Sequence, residues 1–141
     1  MLNYPQHIAV IMDGNGRWAN AMSCPRHHGH RAGVHVVKDL VEVAAANQVN
    51  HLTVFALSRD NLSRNKFEVQ SLVALFKESI QHYLPELHEA NVRIRFIGDV
   101  VSLDDSLAML AHDAEKKTEQ NTGLVLTIAL NFSGSWHIVE T

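Results

Sequence analysis

An α/β fold, a parallel sheet flanked by helices, is predicted by three observations on this 141-residue sequence. Short apolar runs of strand length alternate with longer stretches in which apolar residues recur at helical spacing. Gly, Asn and Asp mark the joins between them. No internal repeat, low-complexity segment or Pro/Gly/Ser-rich linker breaks the alternation, which is the pattern of strands joined by helical crossovers.

The first run, His7-Ile8-Ala9-Val10-Ile11-Met12, reads as a strand over 7–12, and Asp13 stands at the mouth of the loop Gly14-Asn15-Gly16 that follows. Any helix opening there is stopped after about two turns by Ser23-Cys24-Pro25. Val34, Val37, Leu40, Val41, Ala44 and Ala45 then predict a helix from near Gly29 to a stop at Asn47. A strand follows over 51–57. The next helix starts after Asn65, whose side chain caps it while Glu68 reaches back in a box-like pair, and its apolar stripe runs through Val69, Leu72, Val73, Phe76, Ile80, Tyr83, Leu84 and Leu87. A third strand covers 92–98. The last helix begins around Asp104, carries Leu107, Leu110, Ala111 and Ala114, and stops before the turn Asn121-Thr122-Gly123; a fourth strand covers 124–131. The stripes read as core.

Composition bounds the rest. With 46% hydrophobic and 19% charged residues, the chain is sized for one domain, 1–141, with a real core, and it falls outside the disordered class. A net charge of −3 and a pI near 6.3 supply no basic field to hold nucleic acid, so a phosphate-bearing partner must be bound locally. Cys24 is the only cysteine, which excludes an internal disulfide and fits a reducing, cytoplasmic setting. The N-terminus lacks a basic and apolar signal, and no apolar run approaches the roughly 20 residues that span a bilayer, so any membrane contact is peripheral. Ten histidines, including His27-His28-Gly29-His30, invite a zinc reading, but Cys or acidic partners at ligand spacing are lacking.

Strands joined by right-handed crossovers are parallel, so the polar residues that end each strand fall on one edge of the sheet, where ligands of open α/β sheets bind. These are Asp13; Ser58-Arg59-Asp60-Asn61; Gly98-Asp99; and Asn131. Glycines after the first strand let backbone N–H groups approach an anion. Asp13 would repel bound phosphate unless a hard cation such as Mg²⁺ lay between them, and Arg17 adds fixed positive charge. His30 falls in the first turn of its predicted helix, where the dipole favours an anion, and Arg26 precedes it by one turn. Together they predict a diphosphate clamp of Arg17, Arg26, His30 and loop amides. Two readings compete for the first loop. It can be an ordinary tight turn capped by Asp13. Gly14, Gly16 and Ala19 also fit the dinucleotide fingerprint, which requires a long helix that Pro25 interrupts.

Five segments match one family: H-I-A-V-I-M-D-G-N-G-R-W, R-x-x-G-H-R-A-G, L-T-V-F-A-L-S-R-D-N, V-R-I-R-F-I-G-D and N-T-G-L-V-L-T-I-A-L-N-F-S-G-S-W. The sequence resembles the cis-prenyltransferase family, and within it most closely the bacterial undecaprenyl diphosphate synthases. The resemblance implies condensation of isopentenyl diphosphate onto an allylic diphosphate such as farnesyl diphosphate. The product would be a polyprenyl diphosphate lipid carrier for the cell wall, made with Mg²⁺ by a homodimer. It implies that Asp13 is metal ligand and central catalytic acid, and that Gly14, Asn15, Gly16, Arg17, Trp18, Arg26 and His30 hold the allylic diphosphate. Ser58, Arg59, Asp60 and Asn61 would line the reacting centre, with Asn61 placed for proton removal and Arg64 for substrate contact. An apolar tunnel for the prenyl tail would draw its walls from the helix after Asn65, the strand around Ala56 and the helix after Asp104. Trans-type synthases, which use the same substrates, need D-D-x-x-D pairs; the single Asp-Asp, Asp104-Asp105, is followed by Leu107 and Ala108.

The chain departs from the family pattern at Leu62, where a Trp is usual, and at Ser135, where Gly-Arg is usual. The family also continues beyond the position of Thr141, with further strands and helices, an arginine and serine cluster for isopentenyl diphosphate, and a metal-binding glutamate. The expectation is therefore a C-terminally truncated domain that holds the allylic half-site, does not turn over alone, and associates through an exposed sheet edge. The alternative is a non-catalytic diphosphate-binding subunit or degenerate scaffold relative; an unrelated phosphotransferase on a similar sheet is a third reading.

Overall fold

A computed structural model describes residues 3–58 and 66–132. In chain order these form β1 (His7–Ile11), α1 (Asn15–Ala21), α2 (Arg26–Ala46), β2 (His51–Ser58), α3 (Lys66–Glu89), β3 (Arg93–Ile97), α4 (Val100–Leu103), α5 (Asp105–Thr118) and β4 (Val125–Phe132). The strands pair in one parallel sheet of order β1-β2-β4-β3. At the amino ends register runs straight across it, His7 beside His51, His51 beside Val125 and Val125 beside Arg93, and the β2–β4 pairing shifts after Phe55.

All four strands stand within a residue of where the apolar runs predict them. α1 is as short as the sequence requires, ended by Ser23 in a left-handed conformation (φ 57°) and by Pro25. α2 differs from prediction: it starts at Arg26, directly after Pro25 at the cap, rather than near Gly29. The proline cannot extend a helix backwards, but it leaves every residue after it free to be helical. The short α4 has no apolar period to announce it and is held by Asp99, whose side chain accepts the Ser102 N–H at 3.3 Å. Asp104 starts α5 as predicted, accepting the Leu107 N–H at 2.8 Å. Asn65, the predicted cap of α3, lies outside the described residues.

Two apolar clusters hold the layers together. Val41, Ala44, Leu52, Val54, Ile94 and Leu126 join α2 to the sheet. Leu57, Leu72, Val73, Leu107 and Leu130 join α3 and α5 to the end of β2 and β4. The two sheet edges are treated differently. On β3, the Arg93 N–H points inward to the Leu124 carbonyl, so the Ile94 N–H points outward, where Thr118 on α5 accepts it at 2.9 Å. Glu115, one turn earlier on α5, stands near the Phe96 N–H, the next to face outward. Oxygen-bearing side chains at i and i+3 on a helix thus stand over the edge of a strand. Among the described residues β1 pairs only with β2, and Ala9 and Ile11 face solvent, Ile11 to 77%. No helix of the described residues is long and apolar enough to cross a membrane.

Candidate active site

Met12 still bonds through its N–H to the Phe55 carbonyl at 3.1 Å, so Asp13 leaves the sheet at its carboxyl edge. Gly14 follows with φ 88°, a left-handed backbone that a residue bearing a Cβ takes up only with strain. The turn folds the Gly14 N–H onto Asp13 Oδ1 at 2.7 Å and starts α1 at Asn15. One helical turn on, Arg17 Nη2 lies 3.4 Å from Asp13 Oδ2. Both side chains are exposed, 70% for Asp13 and 77% for Arg17, so either can exchange its partner for a ligand or an ion.

The second glycine of the loop has a different role from the predicted one. Gly16 is buried within α1, and the space its Cβ would need is filled by the Arg26 guanidinium. At Gly29 that space is filled by the Asn15 carbonyl. These glycines bring α1 and α2 into close contact and so set the position of Arg26, while the Gly14 N–H is already taken by Asp13.

Arg26 and His30, four residues apart, share one face of α2. They converge on Glu68 of α3, a residue that sequence reasoning treated only as part of a helix start. Glu68 Oε1 lies 3.2 Å from Arg26 Nη2, 3.3 Å from Arg26 Nε and 3.3 Å from His30 Nε2. The early start of α2 moves His30 out of the first turn, so its backbone N–H belongs to the helix ladder and the imidazole is what it offers. The signal in the sequence was the pair itself: a cation and an imidazole on one helical face need an acceptor.

Asp13, Gly14, Asn15, Gly16, Arg17, Arg26 and His30 all line one cleft of about 750 Å³. Trp18 does not; it stands half exposed on α1. Ser58 ends β2, and its side chain is not described; Arg59, Asp60, Asn61, Leu62 and Arg64 lie outside the described residues, as does Ser135. The predicted convergence of all four strand ends holds only in part. Asn131 Nδ2 donates to the Asp99 carbonyl at 2.8 Å, and the Asp99 N–H to the Asn131 carbonyl at 3.2 Å, closing a junction of their own. Strand order explains it: β3 neighbours β4, whereas β1 lies two strands from β4, about 10 Å away.

Behind its polar rim the cleft runs on into hydrocarbon. Val34, Val37, Val54, Ala56 and Phe76 line both it and a cavity of about 220 Å³ between α2, α3 and the sheet, whose deeper walls include Val41, Leu84, Leu87 and Leu126. The expected walls were the strand around Ala56, α3 and α5. α2 takes the place of α5, which contributes Ala114 alone.

Among the described residues no three His, Cys, Asp or Glu side chains gather to hold an ion. A hard divalent cation at Asp13 would have one protein carboxylate, with its other positions left to water and ligand oxygens. That is the usual donor set of Mg²⁺ bound beside phosphates.

Comparison with known proteins agrees with this geometry. The prenyltransferase family model described as undecaprenyl diphosphate synthase matches residues 11–141. Ditrans,polycis-undecaprenyl-diphosphate synthase ((2E,6E)-farnesyl-diphosphate specific) of Coxiella burnetii is 46% identical over 136 residues, 96% of this chain and 57% of that protein. An isoprenyl transferase of Rhizobium meliloti is 47% identical over 130 residues, 92% of this chain and 53% of that protein. The crystal structure of lavandulyl diphosphate synthase from Lavandula x intermedia, in complex with dimethylallyl diphosphate, matches with TM-score 0.93 and 30% identity over 96% of this chain and 58% of that one. The chain spans a little over half the length of the relatives it matches. The family model covers all but the first ten residues, and the chain belongs to the undecaprenyl diphosphate synthase family of prenyltransferases.

Proposed function

We propose that this chain binds the allylic substrate of a cis-prenyltransferase, farnesyl diphosphate, and supplies that half of the site for condensation with isopentenyl diphosphate. The observation that carries this is the adjacency of two unlike cavities: a cleft rimmed by Asp13, Arg17, Arg26 and His30 shares walls with a channel lined by hydrocarbon. A charged head on a long apolar tail is the ligand class that satisfies both at once. Arg17 and Arg26 take the diphosphate oxygens in charge-assisted hydrogen bonds, and His30 adds a ring donor beside them. The Asp13 carboxylate would hold Mg²⁺, which when bound would supply positive charge to offset that of the departing diphosphate. In the reaction the allylic C–O bond breaks, a C–C bond forms to isopentenyl diphosphate, diphosphate leaves with the electron pair, and a proton is lost from the added unit. The family resemblance assigns that proton to Asn61 and further substrate contacts to Ser58, Arg59, Asp60, Leu62 and Arg64. The polyprenyl diphosphate product, cytoplasmic location and homodimeric state belong to the same reading, applied to the longer proteins that this chain resembles.

The test is titration of the 141-residue chain with farnesyl diphosphate by calorimetry, with and without Mg²⁺, followed by incubation with radiolabelled isopentenyl diphosphate. The expected result is binding that Mg²⁺ strengthens and Asp13→Ala makes indifferent to Mg²⁺, with no elongation by residues 1–141 alone. Equal affinity for farnesyl diphosphate and for inorganic diphosphate would remove the channel from the reading, and no binding at all would overturn it.

A further inference from the structure

The contacts that close the channel on its solvent side are polar, and they stand in register. On α2, Arg31, His35 and Lys38 follow one stripe at i, i+4 and i+7. Facing them on α3 are Glu78, Tyr83 and Glu86. Arg31 makes a two-pronged pair with Glu78, at 3.1 and 3.3 Å. Tyr83 Oη and His35 Nδ1 are 3.2 Å apart, and Lys38 Nζ lies 3.4 Å from Glu86 with the Tyr83 ring beneath it, 5.8 Å to its centre. Directly under this ladder are the apolar channel walls, Val34, Val37 and Val41 on α2, and Ile80, Leu84 and Leu87 on α3.

Packed helices ordinarily meet through apolar ridges seated in grooves. Here the apolar faces line a cavity, and the seam over it is fastened by side chains at the surface. Exposed ion pairs hold weakly and are screened by salt, and every group in the ladder can turn to water when the seam parts. At its other end the channel meets the cleft, where an apolar tail must pass the charged rim of Asp13, Arg17, Arg26 and His30.

We propose that the α2–α3 seam is a side door to the channel, held shut by the Arg31–Glu78, His35–Tyr83 and Lys38–Glu86 ladder, through which the hydrocarbon tail of a bound prenyl chain passes sideways into an apolar medium. The identity of the tail rests on the function proposed above; the door itself does not. It requires only that an apolar molecule in the channel enter and leave between α2 and α3.

The test uses N-phenyl-1-naphthylamine, a neutral apolar fluorophore with no phosphate, and reads its release from the 141-residue chain by stopped-flow dilution. In a Cys24→Ser background, Arg31→Cys with Glu78→Cys, joined by a bis-maleimidoethane bridge, is expected to slow release several-fold relative to the same pair left open. Arg31→Glu is expected to speed release about fivefold, and Arg31→Glu with Glu78→Arg to restore it. Raising ionic strength should speed the wild type more than Arg31→Glu, which keeps only the Lys38–Glu86 ion pair across the seam and in which salt also screens the new repulsion at Glu78. Should circular dichroism show Arg31→Glu to be unfolded, the bridged pair and the charge swap carry the result. Release unaltered by the bridge, or failure of the fluorophore to bind, overturns the side door. A door that responds as expected in a chain that ignores farnesyl diphosphate leaves this inference standing and removes the proposed function instead.

Discussion

Nε2 of His30 on α2 lies 3.3 Å from Oε1 of Glu68 on α3, the same oxygen that Arg26 approaches at 3.2 Å. One carboxylate therefore occupies the place where the cation and imidazole of the clamp would receive an anionic ligand, and it ties the first turn of α3 to that place. Glu68 and a diphosphate compete for the same donors. Glu68→Gln, which keeps the shape and removes the charge, is expected to tighten binding of inorganic diphosphate several-fold in calorimetry without added metal. Arg26→Gln is expected to weaken it about tenfold. Weaker binding in Glu68→Gln would show that the carboxylate orients Arg26 more than it competes with the ligand.

Gly29→Ala tests the close crossing of α1 and α2. The added methyl meets the Asn15 carbonyl, a backbone atom that cannot turn aside. A loss of about 2 kcal/mol is expected, read as a lower urea midpoint with an unchanged slope. Diphosphate affinity should fall as well, because the same crossing positions Arg26.

Thr118 covers the outer edge of β3, its hydroxyl accepting the Ile94 N–H and donating to the Ala114 carbonyl at 2.9 Å. Thr118→Val keeps the volume and strands the Ile94 N–H in a buried place. The expected loss is about 2 kcal/mol, with Thr118→Ser losing much less. Hydrogen exchange at Ile94 should quicken in the valine variant and not in the serine one.

Burial raises the Glu115 carboxyl above its ordinary range, and His112, Arg95, the Phe96 N–H and Arg93 offset only part of that rise. A folded-state pKa above the unfolded one means that the native chain binds the proton more tightly, so ionised Glu115 opposes folding at neutral pH. The opposition is present above the folded pKa and vanishes as pH falls through it towards the unfolded value near 4.3. Glu115→Gln keeps the shape and a carbonyl oxygen beside Phe96 and is expected to raise the melting temperature at neutral pH. That advantage should close as the solution is acidified below the unfolded pKa; an advantage constant with pH would show that ionisation of Glu115 plays no part.

The amino-acid sequence by itself determined the order of the strands and long helices, the parallel sheet, the placing of Asp13 at a strand end and the cap at Asp104. Each of these follows from interactions within a few residues, alternation along a strand, apolar period along a helix, a side chain bonding the next N–H, and such interactions are written in adjacent letters. Glu68 as the partner of Arg26 and His30, Gly16 and Gly29 as crossing points, α2 rather than α5 as a channel wall, and the separate closure of Asp99 with Asn131 were decided only in the tertiary structure. Glu68 lies 42 residues from Arg26 and 38 from His30. Its choice of partners depends on how α2 and α3 are set across the sheet, and no local period encodes that. The α2 start shows the boundary between the two kinds of information. The proline was legible as a stop for α1, but it also caps the next helix, and a start at Arg26 places the His30 N–H inside the ladder and leaves its ring to meet Glu68, a contact that the setting of α2 against α3 decides.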